Sequence, residues 1–132
     1  MTRALVIDDD DIARELMVSV LRNAGYEAFA LPSPIGAMQL ILRADIEVVV
    51  LDVMLPAVSG DQLAKMLRSN PRTQNLAIVL VSSSGIDDLQ KLTTDGRVDG
   101  VIAKRDVRQS LLAAVEHAHA VHFGELKRVT TG

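Results

Sequence analysis

The sequence predicts one α/β domain, built as a doubly wound, five-stranded parallel sheet with helices on both faces. Three observations predict it. Short apolar runs alternate with amphipathic stretches along the chain, and right-handed crossovers then place helices on both sides of the sheet. The run Val48-Val49-Val50-Leu51, entered from Glu47, is apolar on both faces, as a central strand covered on both sides must be. The conspicuous polar residues, Asp8, Asp9, Asp52, Ser82 and Lys104, all fall at the C-terminal ends of apolar runs, where ligands bind in such sheets.

Taken in order, Ala4-Leu5-Val6-Ile7 is the first strand. Asp10 or Asp11 caps a helix whose apolar stripe is Ile12, Leu16 and Val20, widened by Ala13, Met17 and Leu21. Gly25 ends it as a left-handed residue. Glu27 to Leu31 is the second strand. Ser33 then caps a helix with Pro34 at its first position, and Met38, Leu40, Ile41 and Leu42 give that helix its apolar side. Glu47 to Leu51 is the third strand, ended by Asp52. A loop from Val53 to Ser59 leads to a capping box, Ser59 to Gln62, and to a helix packed through Leu63, Met66 and Leu67. Asn70-Pro71 closes it. Leu76 to Val81 is the fourth strand. A thin fourth helix follows on Ile86, Leu89 and Leu92, and it should be among the less stable parts of the fold. Val98 to Ala103 is the fifth strand. Asp106, with Gln109 three positions on, begins a fifth helix packed through Val107, Leu111, Val115 and Ala118. From His119 the pattern fades into a polar tail. The expected domain is 1–122, with 123–132 a tail or the start of a linker.

A chain of 132 residues fits one domain, and 48% apolar residues exclude disorder. Aromatics make up 2%, which leaves no platform for stacking bases or a flavin. Net charge is −3 without a basic stripe, so direct nucleic-acid binding is not expected. No apolar segment is long enough to span a membrane or form a signal-peptide core, and a cytoplasmic location is the default expectation. The absence of cysteine excludes thiolate chemistry and disulfides. His117, His119 and His122 read as surface residues. Positions two apart on a helix face different ways, and the remaining pair would make a poor metal site.

The chemistry concentrates in Asp8-Asp9-Asp10-Asp11 and Asp52. At an effective dielectric of about 20, two carboxylates roughly 4 Å apart repel by about 4 kcal/mol, so a cluster needs an offsetting charge. Parallel first and third strands would bring Asp8, Asp9 and Asp52 together as a hard oxygen site suited to Mg²⁺. An ionised Asp52 beside it is an oxygen nucleophile able to accept a phosphoryl group. Lys104 supplies a point charge for the transferred group, and the Ser82 hydroxyl a hydrogen bond. A haloacid-dehalogenase-type phosphatase also uses an Asp after a strand, but its general acid two positions later is here Met54.

Leu5-Val6-Ile7-Asp8-Asp9-Asp10, Val50-Leu51-Asp52-Val53-Met54-Leu55-Pro56 with Gly60, Val81-Ser82-Ser83 and Lys104 together resemble the receiver domain of two-component response regulators, over about residues 3–118. The resemblance implies the flavodoxin-like strand order 2-1-3-4-5. It implies Asp52 as phosphoacceptor, Asp8 and Asp9 as metal residues and the Met54 carbonyl as a further metal ligand. Ser82 becomes the switch hydroxyl and Lys104 the phosphate contact. The implied partners are a sensor histidine kinase or phosphotransfer protein, and a downstream effector or output domain. Two positions depart from the pattern. Arg105 stands where receivers usually carry a proline, often after a cis bond. Such a bond costs about 2.5–4 kcal/mol before a non-proline, so a trans bond is expected. Val101 replaces an aromatic, which confines the expected switching to the Ser82 loop and the fourth helix. A pseudo-receiver, an interaction module that works without phosphate, is the alternative.

Overall fold

The computed structural model describes residues 1–124. Strands β1 (Arg3–Ile7), β2 (Glu27–Leu31), β3 (Val48–Asp52), β4 (Ala77–Ser82) and β5 (Gly100–Ala103) form one parallel sheet in the order β2-β1-β3-β4-β5. Helices α1 (Asp11–Asn23), α2 (Ala37–Arg43), α3 (Gly60–Ser69), α4 (Gln90–Thr94) and α5 (Val107–His119) connect and cover it. Among the described residues no helix is long and apolar enough to cross a membrane.

The period of two along each central strand sorts the core into two layers. Leu5 and Ile7 of β1, Val49 and Leu51 of β3, and Ile78 and Leu80 of β4 pack toward α2 and α3. Ala4 and Val6, Val48 and Val50, and Ala77, Val79 and Val81 pack toward α1 and α5. All five β3 residues are buried, which explains why that strand reads as apolar on both faces.

Several local expectations give way to tertiary packing. Ile12 is 81% exposed, whereas Met17 and Leu21 of the expected stripe are buried together with Val18, and Ala13, Leu16 and Val20 pack half-buried against them. In α3 Met66 is 56% exposed, while Ala64 joins Leu63 and Leu67 inside. Helix α2 begins at Ala37, not after Ser33. An extended Ser33 before Pro34 would suit a helix start, but Gly36, two residues on, adopts a left-handed conformation through which a helix cannot run. The Ser33 hydroxyl accepts from the Ile35 amide at 3.3 Å, and Gly36, at φ 82°, turns the chain into the helix. The Ser59–Gln62 capping box forms as read. The one expected at Asp106 does not, because a 3-10 turn over Lys104–Asp106 precedes α5 and the Asp106 side chain caps nothing. The fourth helix is a 3-10 turn, Asp87–Leu89, followed by α4, and neither has a fully buried residue.

Past His119 the chain continues as a π-helical turn over Ala120–Gly124. Only His117 is a surface residue. His119 Nε2 lies 3.2 Å from Glu47 Oε2, and His122 Nε2 lies 2.8 Å from Asp99 Oδ1. Asp99 also accepts from Arg68 and from the Ile78 amide, so this end of α5 is tied to the N-terminal edge of the sheet. The rest of the expected tail, 125–132, lies outside the described residues.

Candidate functional site

Strand β1 pairs with β2 on one side and β3 on the other, so the helices that follow β1 and β3 leave on opposite faces. The crevice between those strand ends is the switch point at which ligands enter this architecture. Asp52 closes β3, and Asp8 follows β1 directly. Both side chains are buried. Asp9 is exposed at the rim. Asp8, Asp9 and Asp52 each bring one carboxylate oxygen to within 4.8 Å of the others.

The backbone holds two of these acids in place. Asp8 Oδ1 accepts from the Asp10 amide at 2.9 Å, and Asp52 Oδ1 accepts from the Met54 amide at 3.1 Å. The Asp10 side chain caps α1 through the Ile12 amide. The start of α3 presses against the end of β3. A Cβ on Gly60 would sit 2.5 Å from the Asp52 carbonyl oxygen, so only glycine permits this approach.

Lys104 reaches across the crevice from the end of β5. Its Nζ lies 2.9 Å from Asp8 Oδ2 and 3.2 Å from Asp52 Oδ2. It does so without the proline usual at the next position, and the Lys104–Arg105 bond is trans. The Asp8 contact is an ion pair, and Lys104 is the one partner of the fully buried Asp8 Oδ2 among the described residues. Burial, followed by the nearby Asp52 charge, raises the Asp8 carboxyl above its ordinary range despite the Asp10 amide and Lys104. Burial alone would lower the Lys104 ammonium, but its contacts with Asp8 and Asp52 outweigh that and raise it.

The sequence reading gathers Asp8, Asp9, Asp52 and Lys104, and the structure gathers them too. Ser82 is buried at the end of β4, beside Ala103 in the ladder, but its hydroxyl turns into its own loop. It accepts from the Ser84 amide at 3.1 Å and donates to the Ser84 carbonyl at 3.3 Å. Met54 follows Asp52 with its side chain in solvent. One participant escaped the sequence reading. Arg14 of α1 donates from Nη1 to the Asp8 carbonyl at 2.7 Å and pairs through Nη2 with Asp11. Its only sequence signal is the i, i+3 spacing from Asp11, which normally marks a surface pair.

Sheet order and crevice define the class, a flavodoxin-like α/β domain. The chain belongs to the response regulator receiver domain family, which it matches across residues 4–116. It is 28% identical over 112 residues to the phosphate regulon transcriptional regulatory protein PhoB of Pseudomonas aeruginosa, a match covering 85% of this chain and 49% of that protein. It is 30% identical over 112 residues to the DNA-binding dual master transcriptional regulator RpaA of Synechocystis, covering 84% of this chain and 46% of that one. The chain thus spans about half the length of the curated relatives it matches. Its fold is like that of a sensor protein from Polaromonas sp. JS666, with a TM-score of 0.83 at 24% identity over 92% of this chain and 98% of that one. It is also like that of the response regulator protein TrrA of Thermotoga maritima, solved in complex with Mg²⁺-BeF. There the TM-score is 0.76 at 24% identity, over 89% and 99% of the two chains.

Proposed function

We propose that this chain accepts a phosphoryl group on Asp52 from a histidine kinase or phosphotransfer protein, in a Mg²⁺-dependent reaction, and passes the signal on by changing what it binds. The observation that carries the reading is the convergence of the Asp8, Asp9 and Asp52 carboxylates, two of them buried, with the single ammonium of Lys104 spanning Asp8 and Asp52. An all-oxygen set of three converging carboxylates, faced by one ammonium, fits Mg²⁺, which keeps several waters of its own. Asp8, Asp9 and Asp52 would hold the ion, with the Met54 carbonyl as the further ligand of the family pattern. Bound there, Mg²⁺ supplies the positive charge that offsets the carboxylates and the incoming phosphoryl oxygens.

The protein's own part is positioning. The Met54 amide fixes Asp52 Oδ1, which orients the carboxylate to attack phosphorus while the donor's P–N bond breaks and the leaving imidazole takes up a proton. Lys104 already stands at Asp52 Oδ2, where it can shift onto a phosphoryl oxygen. As a signalling domain it needs no turnover beyond slow loss of its own phosphoryl group.

Mg²⁺ is expected to stabilise the protein by about 2.7 kcal/mol at one hundred times its Kd. Asp9→Ala should remove most of that gain. Between the ordinary value of 3.8 and the raised one, folded Asp8 holds a proton that the unfolded chain has released. Stability from that proton is therefore lost as pH rises through this window, and Mg²⁺ restores it by replacing the proton. The Mg²⁺ effect should accordingly grow as pH rises above the ordinary carboxylate value. A thermal midpoint indifferent to Mg²⁺ at every pH would favour the phosphate-independent interaction module.

The readout assigned to the site is the segment 83–94, together with the α5 start near Arg105 and Arg108. Withdrawing the Ser82 hydroxyl from Ser84 toward a phosphoryl oxygen would pull this loop, whose helical turns bury no residue fully. Val101 is buried in the core and too short to follow as an aromatic would. Hydrogen exchange with and without beryllofluoride should therefore change mainly in 83–94. Changes centred on β5 that spare 83–94 would refute this readout.

A further inference from the structure

The first turn of α1 contains an arginine that the proposed chemistry leaves idle. Arg14 is on a helix surface by sequence, yet its side chain is only 17% exposed. Its charge partner Asp11 is 78% exposed, and a pair that open contributes little by itself. The more informative contact is to the backbone. Ladder pairing of β1 ends at Ile7, and the Asp8 carbonyl beyond it accepts Arg14 Nη1 at 2.7 Å.

One planar guanidinium therefore grips the carbonyl of Asp8 and the carboxylate of Asp11, on either side of Asp9 and Asp10. A rigid fork suits this task as a flexible ammonium does not. The gripped segment contains four adjacent carboxylates, and self-repulsion would open it. Within the same turn Asp8 Oδ1 accepts the Asp10 amide, the bond that sets the direction of Oδ2, which meets Lys104 across the crevice. Among the described ion pairs, Arg14 and Lys104 are the cations that touch this cluster. Lys104 faces the reacting oxygens, whereas Arg14 holds the backbone.

We infer that Arg14 is a positioning residue for the cation site, clamping the Asp8–Asp11 turn so that the Asp8 and Asp9 carboxylates stay aimed at Mg²⁺. This rests on the Mg²⁺ reading above. Charge and position make opposite predictions. A guanidinium acting only as a nearby positive charge would repel Mg²⁺, and its removal would tighten binding. A guanidinium acting as a clamp makes binding weaker when removed.

The test is Mg²⁺ titration of the wild type, Arg14→Ala and Arg14→Lys, each followed by amide shifts from its own metal-free baseline. A general loss of stability does not move that readout. Arg14→Ala should weaken Mg²⁺ binding by roughly 10-fold, as partners that orient metal ligands commonly do. Arg14→Lys, which keeps the charge and loses the fork, should weaken it less. The Asp10 amide should exchange faster in both metal-free variants. Phosphorylation of Arg14→Ala should recover to near the wild-type rate at saturating Mg²⁺. Unchanged or tighter Mg²⁺ binding by Arg14→Ala, where the wild type responds, overturns the role of Arg14 alone. A wild type that ignores Mg²⁺ overturns the metal reading and this inference with it.

Discussion

Asp52→Asn is expected to take up no phosphoryl group at position 52 while folding as the parent does. The amide is isosteric and keeps the Oδ1 that accepts the Met54 amide. It loses only the negative oxygen that forms the new O–P bond. Two effects on stability oppose each other. Repulsion with Asp8 disappears, and so does the 3.2 Å ion pair with Lys104. The net change should stay within about 1 kcal/mol, measured by denaturant unfolding. Undiminished acid-labile labelling of the same peptide in Asp52→Asn would remove Asp52 from the account.

Lys104→Met is expected to do more damage, on two separate scales. The Lys104 side chain is 20% exposed, and its ammonium serves two buried carboxylates at once. Removing one partner of a buried pair leaves charge uncompensated and typically costs about 3–5 kcal/mol. The low end applies to the metal-free protein, because Asp8 is already biased toward taking up a proton. Mg²⁺ should recover much of that loss by mass action. It should not recover the rate. Loss of a preorganised positive group at the transferred oxygens should slow phosphorylation by roughly 100-fold even at saturating Mg²⁺. A rate within twofold of the parent would show that Lys104 is structural only.

The parts legible in the sequence were those with local causes. Val48 to Leu51 could only be an interior strand. Once β1 and β3 are parallel neighbours, Asp8 and Asp52 meet without further information. Lys104 was legible for the same reason, since it ends β5 on the same side of the sheet. What stayed illegible depends on distant partners or on competing helix faces. The stripe read for α1 is wide, and which of its edges is buried is settled by the core it packs on, which takes Met17, Val18 and Leu21 and leaves Ile12 outside. His122 finds Asp99 across 23 positions, and no composition rule pairs them. Arg14 donates to a backbone carbonyl, an acceptor every residue carries, so no residue type gives the contact away. At α2 the Ser-Pro pair looked like a helix start, but Gly36 takes a left-handed conformation and the helix begins only after it.

Mass spectrometry of the intact wild-type chain treated with a small acyl phosphate, with and without Mg²⁺, tests the central claim most directly. The account predicts the addition of one phosphoryl group, dependent on Mg²⁺, labile to acid and mapped to the peptide containing Asp52. No addition in the presence of Mg²⁺, or addition at a residue other than Asp52, would contradict it.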